Sequence, residues 1–141
     1  MKVDRKQIHA LFDGHCAYCG CVLESESGKH MQVDHVEPVW RKWHKNGDSR
    51  NPENNNESNY FPTCPSCNHY KSTMSINDFR EQLRLIPERL KRDSVTFNHC
   101  LRHGMIKVKE WDGVFYFEKY VKPENIETTS KKYSKNLKIS F

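Results

Sequence analysis

Two short runs near the middle of the chain carry the pattern expected of β-strands. Residues 31–36 (MQVDHV) alternate apolar and polar positions and include β-branched side chains, and residues 60–63 (YFPT) are also β-prone. A helix should follow the second run, and we expect it to start at Asn68. Residues 46–58 are rich in Asn, Ser and Gly, which predicts a loop. The pattern therefore predicts a strand, a long loop, a second strand and a helix.

Apolar residues recur at helical spacing on both sides of this central segment. Residues 2–13 predict a short helix near the N-terminus, and residues 38–47 predict another after the first strand. A run that begins at Ser75 predicts a helix that Pro87 ends or kinks. Residues 96–103 predict the last helix, because a glycine follows them as a stop signal.

The strongest hairpin signal lies near the C-terminus. The dipeptide Asp112-Gly113 joins two β-prone runs within residues 105–120, which predicts a C-terminal β-hairpin. The predicted elements together indicate an α+β fold. Residues 1–120 should form a single domain, and residues 121–141 a basic, polar C-terminal tail.

Length and composition fit one domain with a modest core, since the chain has 141 residues and 35% of them are hydrophobic. A core of this size gains from a bound metal ion. The net charge of +5 suits an acidic partner such as nucleic acid, although it does not require one. We expect no secretory signal peptide and no membrane span, because the chain opens without an apolar core and has no long apolar run. A reducing cytoplasm then favours cysteines as metal ligands over disulfides.

Two C-x-x-C pairs flank the central segment, Cys16 with Cys19 and Cys64 with Cys67. Two such pairs are a strong signal for one Zn²⁺ ion held by four thiolates in a structural site. A zinc ribbon with no catalytic role would use the same four cysteines. Cys21 has no partner of this kind, and we expect it to be a small buried residue rather than a metal ligand.

The dipeptide Asp34-His35 lies between these pairs and suits phosphodiester hydrolysis. A neutral imidazole can take a proton from water near neutral pH, whereas a hard cation such as Mg²⁺ prefers oxygen ligands. Neighbours on a regular strand face opposite sides, so Asp34 can hold a metal while His35 addresses the substrate only if the strand ends or bends there. Asn68 would supply a second oxygen ligand. Asn59 would bond the backbone and hold the His35 loop, or orient the His35 ring.

These residues resemble a known family. The motif VDH, a later Asn and C-x-x-C-N-x-x-K resemble the HNH nucleases, whose site is a ββα-metal or His-Me finger, over residues 12–75. The segment NYFPTCPSCNHYKS is also similar to the HNH domain of the RNA-guided CRISPR nucleases. The resemblance implies His35 as general base, Asp34 and Asn68 as Mg²⁺ or Mn²⁺ ligands, and Asn59 as a structural asparagine. It also implies products with a 3′-hydroxyl and a 5′-phosphate.

One residue differs from the H-N-H pattern after which that family is named. In that family the residue directly after the second C-x-x-C pair is often His. In this chain it is Asn68, followed by His69. The pattern is therefore similar to H-N-N, a variant that the family also uses, and a register in which His69 binds the metal stays open. Lys71 lies one helical turn beyond Asn68, and it would contact a substrate phosphate or be an ordinary exposed lysine. His69 is the second candidate for substrate contact.

The resulting hypothesis is a DNA endonuclease with structural Zn²⁺ and catalytic Mg²⁺ or Mn²⁺, in the cytoplasm of a bacterial or phage-infected cell. The alternative is a non-catalytic, zinc-dependent nucleic-acid-binding module. A third hypothesis is a structural or interaction protein whose C-terminal hairpin docks on a partner. An exposed apolar patch around Phe115 and Phe117, with no metal affinity near Asp34, would favour it. Trp40 and Trp43 share one face of the helix expected at 38–47, either in the core or on a basic surface that contacts DNA. The sequence does not indicate an oligomeric state.

Overall fold

The computed structural model describes residues 2–122, so nearly all of the predicted tail lies outside the described residues. This part of the chain is a mixed α and β structure with six α-helices and one two-stranded sheet. The strands are β1 (Gln32–His35) and β2 (Tyr60–Thr63). The helices are α1 (Arg5–Ala10), α2 (Pro65–Lys71), α3 (Ile76–Arg84), α4 (Ile86–Asp93), α5 (Val95–Arg102) and α6 (Tyr116–Lys119). A bilayer-spanning helix, long and apolar throughout, is not found among residues 2–122.

The two strands pair antiparallel, with Asp34 opposite Phe61, which confirms the predicted unit of strand, loop and strand. β1 ends at His35, so the backbone leaves the strand geometry directly after the Asp34-His35 dipeptide. Two short 3₁₀ turns, Pro52–Asn54 and Glu57–Asn59, lie in the connecting loop. The second turn leads straight into β2 and brings the loop back beside the end of β1.

Helix α2 begins at Pro65, earlier than the start predicted at Asn68. Its N-cap is Cys64, whose sulfur accepts the N–H of Cys67 at 3.3 Å. Pro65 occupies the first turn, where a missing N–H leaves no helical hydrogen bond unmade. The prediction was wrong because a cysteine is not a usual cap residue, and here one side chain serves both the cap and the cysteine cluster.

The core is built largely from aromatic side chains between the sheet, α3 and the C-terminal segment. Its buried rings belong to Phe12, Tyr18, Phe61, Phe79, Phe115 and Phe117. Their contacting rings have centroids 5.1 to 6.2 Å apart, within the range of favourable aromatic pairs. Phe115 and Phe117 are each 1% exposed, so they do not form the surface patch that would favour an interaction protein.

The predicted C-terminal hairpin is wrong, since residues 105–120 contain no strand and α6 takes the place of the second one. The chain does turn where expected, because Asp112 Oδ1 accepts the N–H of Val114 at 3.0 Å. Beyond the turn, however, the N–H of Phe117 donates to the carbonyl of Ala17 at 2.8 Å. The chain therefore bonds to the segment between the first two cluster cysteines instead of pairing with its own preceding run.

The predicted helix at 38–47 is also wrong. Trp40 and Arg50 form an antiparallel bridge with N···O distances of 3.1 and 2.8 Å, which closes residues 40–50 into a loop. Within it, Lys42 has a φ of 53°, in the left-handed region that a right-handed helix excludes. The helical spacing of the tryptophans therefore belongs to a closed loop, which we call the basic loop (residues 40–50).

The helices that follow the central unit confirm their predictions. Ser75 caps α3, since its Oγ accepts the N–H of Asp78 at 3.1 Å. The chain breaks between α3 and α4, and Pro87 lies in the first turn of α4. After α5, Gly104 has a φ of 69°, as a helix stop requires.

Candidate functional site

Four cysteine sulfurs meet at one place although they come from two distant segments. The Sγ atoms of Cys16, Cys19, Cys64 and Cys67 all lie within 4.8 Å of one another. The segments are joined by a hydrogen bond from the N–H of Ala17 to the carbonyl of Pro62, 2.9 Å long. Zn–S bonds of about 2.3 Å in a tetrahedron place sulfurs about 3.8 Å apart, and Cys19 Sγ lies 3.9 Å from Cys64 Sγ. The cluster can therefore hold one metal ion, and four thiolates suit zinc.

The backbone around the first pair is bent tightly to present its sulfurs. The N–H of Gly20 donates to the carbonyl of Cys16 at 2.9 Å, and Gly20 has a φ of 76°. A Cβ at Gly20 would lie 2.6 Å from the ring of Tyr116, so only glycine fits. Cys21, expected to be buried, is exposed and lies outside the four-cysteine cluster; its carbonyl accepts the N–H of Cys16 at 2.8 Å.

The pKa values of the cluster thiols depend on contacts between them. Hydrogen bonds from Cys16 and Cys67 lower the pKa of Cys19. The bond to Cys19, together with burial, raises the pKa of Cys16 to about 11, and similar contacts raise the pKa of Cys67. A divalent cation bound among these sulfurs would replace thiol protons with its own charge.

Asp34 is a buried carboxylate, 4% exposed, held by two donors. Its Oδ2 accepts the hydroxyl of Tyr18 at 2.6 Å and lies 3.1 Å from Nζ of Lys71. Burial raises the pKa of Asp34, while the Lys71 charge and the Tyr18 hydroxyl favour the ionised form. Both of these contacts fall on Oδ2, so Oδ1 is the oxygen available to a further ligand.

Lys71 does not have the role expected of it. Its side chain is fully buried, and Nζ also donates to the backbone carbonyl of His35 at 3.2 Å. The ammonium therefore points into the protein, where it holds Asp34 and the end of β1, and it is not an exposed contact for a substrate phosphate.

The ring of His35 is fixed by a neighbour that the sequence did not single out. Its Nε2 lies 2.9 Å from Oδ1 of Asn55, and the hydroxyl of Tyr60 donates to the same oxygen at 2.7 Å. A carbonyl oxygen only accepts hydrogen bonds, so Nε2 carries the proton. Nδ1 then keeps its lone pair, and this nitrogen is the atom that can accept a proton from water.

Asn59 is 3% exposed and fastens the loop that follows β1. Its Oδ1 accepts the N–H of Glu37 at 2.9 Å, and its Nδ2 donates to the carbonyls of Glu37 and Asn54, each at 2.8 Å. The backbone N–H of Val36 also donates to its carbonyl at 3.0 Å. Asn59 therefore bonds the backbone and holds the His35 loop, which is the first of its two predicted roles. The second role, contact with the His35 ring, belongs to Asn55.

Asp34, His35 and Asn68 line one cavity of about 270 Å³ between the end of β1 and α2. Nδ2 of Asn68 donates to Oε1 of Gln32 at 2.6 Å, and Gln32 shares a strand face with Asp34. This bond uses the amide nitrogen of Asn68 and leaves its carbonyl oxygen for the cavity. His69 is exposed on α2 and is not among the residues that line this cavity.

Sequence reasoning missed several residues of this site. Tyr18 stands between two cluster cysteines, and Asn55 lies in a run of similar asparagines. Gln32 precedes the motif by two residues, on the face of β1 that α2 covers. Residues two apart on a strand lie on the same face, so Gln32 could have been predicted from Asp34. No local signal distinguishes Asn55 from its neighbours.

Comparisons of the chain with protein-family models, with curated proteins and with solved structures find no match. The geometry of the site therefore carries the functional argument. It combines a four-cysteine cluster, a cavity with carboxylate and amide oxygens, and an imidazole of fixed tautomer.

Proposed function

We propose that this chain is a metal-dependent endonuclease of the HNH type, which hydrolyses phosphodiester bonds in DNA. The observation that carries the proposal is the convergence of Asp34, His35 and Asn68 on one cavity of a unit made of two strands and a helix. Hydrolysis needs a base for the attacking water and positive charge near the leaving oxygen, and these residue types provide for both.

His35 is the proposed general base. Because Asn55 holds the proton on Nε2, the lone pair of Nδ1 takes a proton from water as the water oxygen attacks phosphorus. A new P–O bond forms, and the bond from phosphorus to the 3′-oxygen breaks. The products are a 5′-phosphate and a 3′-oxygen that is protonated to a hydroxyl.

The oxygen donors of the cavity fit a hard divalent cation. Oδ1 of Asp34 and the amide oxygen of Asn68 are the ligand types that Mg²⁺ and Mn²⁺ prefer. The cation bound there would supply positive charge to the leaving 3′-oxygen. Lys71 neutralises part of the Asp34 charge, so the site should take its cation together with the negatively charged substrate.

The four cysteines have a structural role in this proposal. A zinc ion bound to them would hold the segment between Cys16 and Cys19 against the end of β2 and the start of α2. Asn59 directly precedes β2, and α2 carries Asn68. Structural zinc contributes on the order of 10 kcal/mol of folding free energy. The chemistry and the fold would then depend on different metals.

The test is cleavage of supercoiled plasmid DNA by the purified full chain with Mg²⁺. We expect nicked or linear product, none with EDTA, and a rate lowered by about 10²- to 10⁴-fold in His35→Ala. His69→Ala, purified in the same way, is the matched control and should retain cleavage, because His69 lies outside the cavity lining. Cleavage by His35→Ala at the wild-type rate would refute the proposal.

A non-catalytic, zinc-dependent module that binds nucleic acid is the second candidate, favoured by the exposed cations of the basic loop. The same plasmid distinguishes it. A binding module would shift the plasmid in a gel without cleaving it, whatever divalent cation is supplied.

A further inference from the structure

The basic loop presents a large aromatic side chain to solvent. Trp43 is 53% exposed, although tryptophan is among the most costly side chains to leave in water. Its ring is nevertheless held in place: the ring centroid of Trp40 lies 5.4 Å away, and the guanidinium of Arg50 lies 5.2 Å from the Trp43 centroid. Trp43 is therefore a braced aromatic platform rather than part of the core.

The surroundings of this platform are cationic. The loop carries Arg41, Lys42, Lys45 and Arg50 against the single carboxylate of Asp48. All five of these residues are exposed. Asp48 is already bonded to the side chain of Asn46 at 2.7 Å. The surface around Trp43 thus favours a polyanion.

The loop is continuous with the candidate site. Arg41, together with Pro38 and Val39, lines the same cavity as Asp34 and His35. A strand of nucleic acid with one phosphate in that cavity would therefore pass its neighbouring nucleotides over the basic loop.

We propose that the basic loop binds single-stranded DNA, with Trp43 stacked on an unpaired base and the loop cations on the backbone. The inference rests on the proposed function and extends it: the preferred substrate would carry unpaired nucleotides beside the scissile bond. The reason is geometric. The faces of duplex bases are covered by their neighbours, whereas an unpaired base offers a face to an aromatic ring, and cations alone would not discriminate.

Binding of two fluorescent probes to the zinc-loaded full chain without Mg²⁺ tests this, one a 20-nucleotide oligothymidylate and the other a 20-base-pair duplex. Trp43→Ala should weaken binding to the single strand by at least about fivefold, as expected for one lost base stack, and should change duplex binding by less than about twofold. Equal losses for both probes, or no loss for the single strand, would overturn the inference.

Three further variants separate stacking from charge and from misfolding. Trp43→Phe keeps a ring and should retain part of the single-strand affinity. Lys45→Ala should weaken both probes alike and reduce the salt dependence, whereas Lys91→Ala on α4, which is also exposed, should do neither.

Intrinsic fluorescence gives a readout that a purely structural role for Trp43 would not move. The oligothymidylate should quench tryptophan emission in the native chain, and Trp43→Phe should lose most of this quenching while keeping its circular dichroism and melting temperature. Undiminished quenching in Trp43→Phe would count against the inference.

The two proposals can fail separately. If Trp43→Ala binds both probes like the native chain but plasmid cleavage still depends on His35, the loop inference fails and the endonuclease proposal stands. If single-strand binding depends on Trp43 but the chain cleaves nothing with Mg²⁺ or Mn²⁺, the endonuclease proposal fails and the binding surface stands.

Discussion

Lys71 and Asp34 form an ion pair in the protein interior, with Nζ 3.1 Å from Oδ2 and side chains 0% and 5% exposed. The pair joins α2 to β1 at the place where the candidate site begins. Tyr18 donates to the same carboxylate oxygen, so the segment between Cys16 and Cys19 is bonded to Asp34 as well. The orientation of Asp34 is thus set by three separate segments of the chain.

Replacing Lys71, the cation of this pair, should lower the stability of the fold. Lys71→Met leaves the Asp34 carboxylate buried without its partner, and we expect the free energy of unfolding to fall by about 3 to 5 kcal/mol. Urea unfolding monitored by circular dichroism measures the change. Lys91→Met, on the exposed face of α4, is the control and should stay within about 0.5 kcal/mol. A loss below 1 kcal/mol for Lys71→Met would mean that the pair adds little.

The cysteine cluster predicts a specific metal content. The purified chain should carry one zinc ion per molecule, and Cys67→Ser should lose it together with most of the folded structure, because a serine hydroxyl is a poor zinc ligand. Elemental analysis and thermal melting measure both effects. Cys21→Ser is the matched control, since Cys21 is exposed and outside the cluster, and it should keep its zinc. Zinc retained in Cys67→Ser would show that the cluster is not the binding site.

The parts of this molecule that could be predicted from sequence are those fixed by local spacing. Alternation marked 31–36 as a strand, and the two C-x-x-C pairs brought four sulfurs together as expected. The role of Lys71 could not be predicted in this way, because N-x-x-K spacing gives its position on a helix turn but not which side of α2 faces the core.

The C-terminal segment shows the same limit more clearly. Asp112-Gly113 does form a turn, yet the runs on either side have different environments: Phe115 and Phe117 are buried, while Met105 and Val108 are exposed. Core packing and bonds to the first knuckle decide the conformation after the turn, and these come from residues about a hundred positions away. Local β propensity carries no information about such partners.

The bond between Asn55 and His35 predicts that Asn55 contributes to cleavage. Asn55→Leu removes the amide oxygen that accepts the Nε2 proton, so the Nδ1 lone pair is no longer kept for water. The cleavage rate should therefore fall, by less than the roughly 10²- to 10⁴-fold expected for loss of the base itself. Plasmid cleavage rates with Mg²⁺ would measure it.

The control for that rate is Asn77→Leu, which makes the same change at an exposed position of α3. It should cleave at the native rate. Equal rates for Asn55→Leu and the native chain would mean that the base is not His35, or that Asn55 does not hold it during the reaction.

Asn59 allows a test of the loop itself. Asn59→Asp can still accept the N–H of Glu37, but it can no longer donate to the carbonyls of Glu37 and Asn54 and sets a negative charge against them. We expect a stability loss of about 1 to 3 kcal/mol and a lower cleavage rate, with zinc content unchanged because the cluster lies elsewhere. Asn56→Asp, in the same loop, should reduce activity less, since the side chain of Asn56 bonds only within residues 53–58. Full activity of Asn59→Asp would show that the end of β1 holds His35 without this fastening.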